Sequence, residues 1–220
     1  MIRQARAAAR NALRTGVILF VFALVATALL VFTFSRTEST IERSEQAEKL
    51  SLLGQVLPPA LYDNDLLASQ QGVAPHELLG TRQPSAMWIA RRGETITAVV
   101  LEAIAPDGYS GNIHLLIGIG IDGTVTGVRV TAPRETPGLG DYIVRSKSAW
   151  IEQFAGTSLT RPEARRWKVA KDGGQFDARA GATISPRAVV KAVHGALHYF
   201  ARNRAALLAE EAAPAKETPP

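Results

Sequence analysis

An α+β fold behind a single membrane-spanning helix is what this sequence predicts, on three observations. Nineteen residues, Gly16 to Phe34, carry no charge. From Ala86 onward apolar residues recur at every second position, and glycine-containing turns separate the runs. Near the end, Pro186 to Arg202 repeats its apolar residues at helical spacing. Together these imply an N-terminal transmembrane helix followed by a curved antiparallel sheet packed with helices.

The anchor comes first. As a helix, Gly16 to Phe34 spans roughly 28 Å, close to the hydrocarbon thickness of a bilayer. A cleavable signal would have a shorter apolar core and a small-residue cleavage site. Ala26 and Ala28 offer such a site, but Leu29, Leu30, Val31 and Phe32 continue the run past it, so the anchor is expected to stay uncut. Arg3, Arg6, Arg10 and Arg14 precede the span with no acid among them, and Arg36 with Glu38 follows it. The positive-inside rule therefore puts residues 1–15 in the cytoplasm and everything after Phe34 on the other side, the periplasm in a bacterium.

Behind the anchor, Glu38 to Val56 reads as a helix leaving the membrane and stopped by Pro58-Pro59. Residues 35–85 are expected to form a membrane-proximal helical segment. Trp88 to Ala90, Thr95 to Ile104, Asn112 to Ile121 and Thr124 to Thr131 read as four strands. Ile113, Leu115, Ile117, Ile119 and Ile121 share one face of the third. Ile143, Trp150, Ile151 and Phe154 fit one helical stripe, Trp167-Lys168-Val169 a short strand. On the last helix Val189, Val190, Val193, Leu197 and Phe200 point inward. A folded domain over residues 86–202 and a disordered tail over 203–220 complete the expected division.

Composition narrows the chemistry. The chain has no cysteine, which removes disulfides, cysteine-ligated iron–sulfur clusters, thioether haem and a thiol nucleophile. Of the net charge of +5, four units are the N-terminal arginines, leaving about +1 on the other 205 residues. A nucleic-acid footprint over the body is not expected. No phosphate-cradling loop, dinucleotide fingerprint or nucleophile elbow is present.

Three stretches could carry chemistry. In Gly181-Ala182-Thr183-Ile184-Ser185-Pro186, Ser185 reads as a helix N-cap and Pro186 as the first helical residue. Thr183 then sits two residues before the cap, on a turn opened by Gly181. A phosphate there would meet free backbone N–H groups and the positive end of the helix dipole. A plain capped helix after a glycine turn explains the same residues. In Glu135-Thr136-Pro137-Gly138-Leu139-Gly140, a Pro-Gly turn and bare glycines leave backbone N–H groups open to a ligand, or simply connect sheet to helix. His194 and His198 are spaced i,i+4, but no third ligand is evident and an exposed helix face explains them better than a metal.

The combination resembles the G subunit of the Rnf (Rsx) electron-transport complex, within the FMN-binding domain family. The stretches that carry the resemblance are GYSGNIHLLIGI, DGTVTGVRV, ETPGLGD, KSAWIEQF and DGGQFDARAGATISPRAVVKAV. In that family a separate flavin transferase joins FMN phosphate to the threonine of a Gly-Ala-Thr motif. The resemblance thus implies a covalent phosphoester at Thr183, with Gly181, Ala182, Ser185 and the Glu135 to Gly140 loop around the cofactor. Asp177 matches the aspartate expected six residues upstream; Ala180 stands where the family usually has serine or threonine. The implied role is an electron relay in an inner-membrane complex that couples ferredoxin/NAD-type electron transfer to ion translocation. Its partners would be the other proteins of that complex and the flavin transferase, and no residue is assigned to catalysis. The C subunit of a sodium-pumping NADH:quinone reductase, or a flavin-free bracing protein, are the alternatives.

Overall fold

The computed structural model describes residues 2–132 and 134–209; residues 210–220 of the expected tail lie outside them. Contacts divide the chain into residues Met1–Glu48 and Lys49–Pro220.

The N-terminal part is one helix. The first helix, α1, spans Ile2–Val56 without interruption, where the sequence suggests an anchor separate from a following helix. No proline or glycine falls between Val17 and Leu53 to break it. Within it, Leu13–Phe34 is long and apolar enough to cross a membrane, and none of its residues is buried by the protein.

The second unit is an antiparallel sheet in sequential order. Its strands are β1 (Gln70–Val73), β2 (Ser85–Arg92), β3 (Thr95–Gly108), β4 (Gly111–Gly120) and β5 (Val125–Ala132). Four of the five match expected strands. β1 is additional, because Gln-Gln-Gly-Val shows no apolar alternation; it pairs with β2 from Gln70↔Trp88 to Val73↔Ser85. The boundary expected at Ala86 therefore falls inside the folded body. The 35–85 segment holds more than helix: it supplies β1 and the buried Leu53, Val56, Leu57, Leu66 and Leu79. Register shifts at Ala90/Arg91, between Ala105 and Gly108, and in the β4–β5 pair mark bulges, which bend and twist strands.

Alternation gives the sheet two apolar faces. Met87, Ile89, Val99, Leu101, Ile113, Leu115, Ile117 and Ile119 form the larger core. It is shared with the second helix, α2 (Ile184–Ala209), through Val189, Val190, Val193, Leu197 and Phe200. Trp88, Ala98, Val100 and Leu116 face the other way and pack with Leu53, Val56 and Leu57. α2 runs past the expected end at Arg202, so residues 203–209 are helix and not tail.

Between β5 and α2 the chain is short 3-10 turns. The stripe of Ile143, Trp150, Ile151 and Phe154 is buried as expected, but over two pieces, Gly140–Ile143 and Ala149–Phe154. Trp167-Lys168-Val169 does not form the expected strand. Val169 makes one isolated bridge to Phe176, and Ala170 N–H bonds the Phe176 carbonyl at 2.6 Å. The intervening residues turn back so tightly that no ladder can extend.

Candidate functional site at the start of the last helix

The site is assembled where three pieces of chain meet. They are the β3–β4 hairpin at Tyr109, the loop after β5, and the turn entering α2. Tyr109, Glu135, Thr136, Leu139, Gly140 and residues 181–185 line one cleft of about 110 Å³. Glu135 and Thr183, 48 positions apart in sequence, thus share a wall.

Thr183 is the helix cap. The Arg187 N–H donates to the Thr183 carbonyl at 3.2 Å, the first intrahelical bond, and α2 starts at Ile184. This corrects the expectation that Ser185 caps and Pro186 opens the helix. Ser185 lies inside the first turn, past the cap position, and its hydroxyl donates to Glu135 Oε2 at 2.8 Å. Pro186 fits at the third helical position because N–H groups of the first turn have no intrahelical acceptor. Thr183 is 9 % exposed, and its hydroxyl has no hydrogen-bond partner among the described residues.

The turn before it is splinted by side chains from the preceding 3-10 pieces. The Tyr142 hydroxyl donates to the Ala182 carbonyl and accepts from the Arg179 N–H, both at 3.1 Å. The Arg179 guanidinium lies over the Tyr142 ring, 4.7 Å from its centroid. Burial is the main cause that pushes the Tyr142 phenol up from its ordinary pKa, so it stays a neutral donor at physiological pH. Trp150 Nε1–H donates to the Asp177 carbonyl at 2.6 Å, and the Asp177 N–H donates to Gln153 Oε1 at 2.9 Å. Gly181 holds a positive φ of 81°, a conformation that disfavours a side chain. Behind the turn, Asp172 takes both Arg187 nitrogens at 2.7 and 2.9 Å, and this bond chiefly holds its carboxyl below the usual range.

The rim of the cleft is apolar. Tyr109, Leu139 and Ile184 are 67 %, 54 % and 46 % exposed, and all three line it. Outside α1, they are the exposed large apolar residues of the described body. An apolar cluster left in water around a cleft marks a ligand or partner surface.

Relatives of known type share this body and its anchor. The family model for the FMN-binding domain matches residues 108–198, and that for the RnfG N-terminal region matches residues 1–56. The G subunit of an ion-translocating oxidoreductase complex from Vibrio atlanticus (strain LGP32) is 47 % identical over 90 % of this chain and 94 % of its own. Its counterpart from Pseudomonas aeruginosa (strain UCBPP-PA14) is 47 % identical over 94 % and 97 %. The counterpart from Cronobacter sakazakii (strain ATCC BAA-894) is 51 % identical over 81 % and 85 %. The chain belongs to the family of G subunits of ion-translocating oxidoreductase complexes.

For this G-subunit family member the sequence points to ten site residues, and the structure brings eight of them to the cleft. These are Glu135, Thr136, Leu139, Gly140, Gly181, Ala182, Thr183 and Ser185. Pro137 and Gly138 are not among its lining. They form the tip of a turn closed by the Leu139 N–H on the Thr136 carbonyl at 3.1 Å, and the Gly138 N–H turns to Asp141 Oδ1 at 2.9 Å. Tyr109, Tyr142 and Ile184 escape the sequence reading. An aromatic residue in the Asp-Gly-Tyr-Ser-Gly turn is the one available signal, since turns seldom need one. His194 is not on an exposed face. Its ring stacks on Trp167 at 4.9 Å, and its Nε2 is buried without a partner among the described residues. Among the described residues no group of three metal-ligating side chains occurs.

Proposed function

We propose that this chain is the flavin-carrying electron relay of a membrane-bound ion-translocating oxidoreductase complex, with FMN joined through its phosphate to Thr183. The observation that carries the reading is the Thr183 hydroxyl: without a hydrogen-bond partner among the described residues, at the cap of a helix, and on the wall of a cleft with an apolar rim. The residues present fit such a group in two parts. A cleft of about 110 Å³ has room for a phosphate end but not for a tricyclic ring. The ring's natural surface is the exposed Tyr109, Leu139 and Ile184. When bound, the flavin supplies one- and two-electron chemistry.

The chain's own residues bind and orient. The first-turn N–H groups of α2 and its dipole favour a phosphodiester next to Thr183. Tyr142 keeps the turn rigid, which lowers the ordering cost of holding the cofactor. Thr183 itself does no acid–base work, and the relay needs none from it. Family membership supports the wider reading. Electrons pass between ferredoxin and NAD carriers through several proteins of the complex, a flavin transferase installs the cofactor, and the body lies on the periplasmic side with the N-terminus in the cytoplasm.

Intact mass after denaturation is the test. The full chain, produced with a flavin transferase, should carry the mass of one esterified FMN and stay yellow when unfolded. Thr183→Val removes the hydroxyl at nearly constant volume and should give a folded, colourless protein. Covalent flavin persisting in that variant ends the assignment to Thr183.

A further inference from the structure

The least expected group in the site is a carboxylate. Glu135 is 6 % exposed, and buried charges in proteins are usually paired. Among the described residues no lysine or arginine forms an ion pair with it. Both oxygens accept instead: Oε2 from the Ser185 hydroxyl at 2.8 Å, Oε1 from the Ser110 N–H at 3.3 Å. Acceptance at both oxygens is the pattern of the ionised group. Two glycines keep the space for it. A Cβ at Gly108 would stand 2.9 Å from Oε1, and one at Gly140 2.9 Å from Oε2. Ser185 lies in the first turn of α2, so the carboxylate faces the positive end of that helix.

This arrangement seats a fixed negative charge on the same cleft wall as Thr183. A phosphodiester at Thr183 would bring a second anion to the same helix end. Neither charge suits a cofactor that must accept electrons, because each electron added to the ring meets an unfavourable field. We propose that Glu135, held in place by Ser185, sets the reduction potential of the flavin low; this rests on the reading of Thr183 as its attachment point. Glu135 is then a positioning residue for charge, not a group that touches the reacting ring atoms.

Glu135→Gln keeps the shape and the acceptor for Ser185 but removes the charge. In the covalently loaded full chain it should raise the ratio of reduced to oxidised flavin at fixed potential about tenfold, about 30 mV for a two-electron couple. Ser185→Ala keeps the charge and removes one hydrogen bond, so its potential should stay at or below that of the unaltered chain. An unchanged potential in E135Q overturns the proposal. So does an equal rise in both variants, which would trace the effect to a loosened loop. So does loss of attachment in E135Q with a native melting temperature, which would make the carboxylate a requirement of loading. If E135Q does not fold, the double variant E135M/S185A, which removes carboxylate and hydroxyl together, is read in its place: a potential raised above that of S185A supports the proposal, and one equal to it overturns the proposal. Absence of covalent flavin from the unaltered chain would instead remove the reading of Thr183.

Discussion

Two helix ends dock on the body, and they are finished differently. The last turn of α1 is closed. The Val56 carbonyl accepts from Thr126 Oγ1 at 2.6 Å, the Leu57 N–H bonds the Leu53 carbonyl at 3.0 Å, and Arg129 Nε donates to Gln55 Oε1 at 3.0 Å. Val56 and Leu57 are fully buried. The first turn of α2 is open. Its cap hydroxyl has no partner among the described residues, a cleft stands beside it, and three large apolar side chains around that cleft face water. A helix end must satisfy its free backbone groups with something. Where side chains of the same body do so, the end is structural. Where space and a hydroxyl without a partner among the described residues remain, the FMN phosphate proposed at Thr183 would supply the partner.

That contrast is broken most severely at Gly118. A Cβ there would sit 2.5 Å from the Val56 carbonyl oxygen and 2.3 Å from Thr126 Oγ1. Gly118→Val must push the last turn of α1 off the sheet and lose the Thr126 bond. The overpacking should cost about 3 kcal/mol, a fall in melting temperature on the order of 10 °C for a chain of this size. The covalent flavin proposed at the other helix end should still be found in the fraction that folds. A melting curve that does not move would show that the closed end contributes nothing to stability.

Gly138→Val strikes the open end and should give the reverse pattern. Gly138 has a φ of 78° with nothing within 4 Å of a Cβ, so no clash arises. Backbone strain of about 1–2 kcal/mol does. Gly138 does not line the cleft, but its neighbour Leu139 and the turn partner Thr136 do. Relaxing its φ moves both. Flavin absorbance or potential should shift while the melting temperature falls by only a few degrees. An unchanged spectrum with intact attachment, and failure confined to assembly with the rest of the complex, would make the loop a docking surface instead.

How legible these two ends are in the sequence follows from where their partners lie. Alternation in Ile113 to Ile119 reveals β4 and its buried face, because each residue's neighbours two positions away lie on the same face. Helical spacing in Val189 to Phe200 reveals the core stripe of α2 for the same local reason. β1 is hidden, since its pairing with β2 is made by backbone groups that any residue carries. The capping role of Thr183 is hidden too. Ser185-Pro186 is the better cap by local preference, but the chain is already helical at Ile184, and Ser185 bonds Glu135, 50 residues away, from within the first turn. The Gly181-Ala182-Thr183 turn is readable, but the apolar rim is not: Tyr109, Leu139 and Ile184 come together only once the sheet has brought hairpin, loop and helix to one corner.

Within α2, one buried side-chain atom lacks a hydrogen-bond partner among the described residues. His194 Nε2 is buried with no partner, its ring stacked on Trp167 and 4.6 Å from that of His198. Burial first, and the neighbouring His198 second, push its pKa below the ordinary histidine value. The sign follows from proton uptake. Above the unfolded value, near 6.5, both states hold a neutral ring and nothing is lost. As pH falls below it, the unfolded chain binds a proton that the folded chain refuses until its lower pKa is passed, and stability drops through that window. His194→Phe keeps a flat ring on Trp167 and removes the titration. The melting temperature should therefore fall less between pH 8 and pH 5 in the variant than in the unaltered chain, while the two differ little at pH 8. The effect should be the smallest of these, because the ring is only half-buried. Parallel pH profiles for the two proteins would show that the partnerless nitrogen is satisfied by water, and that the middle of α2 is as well finished as the end of α1.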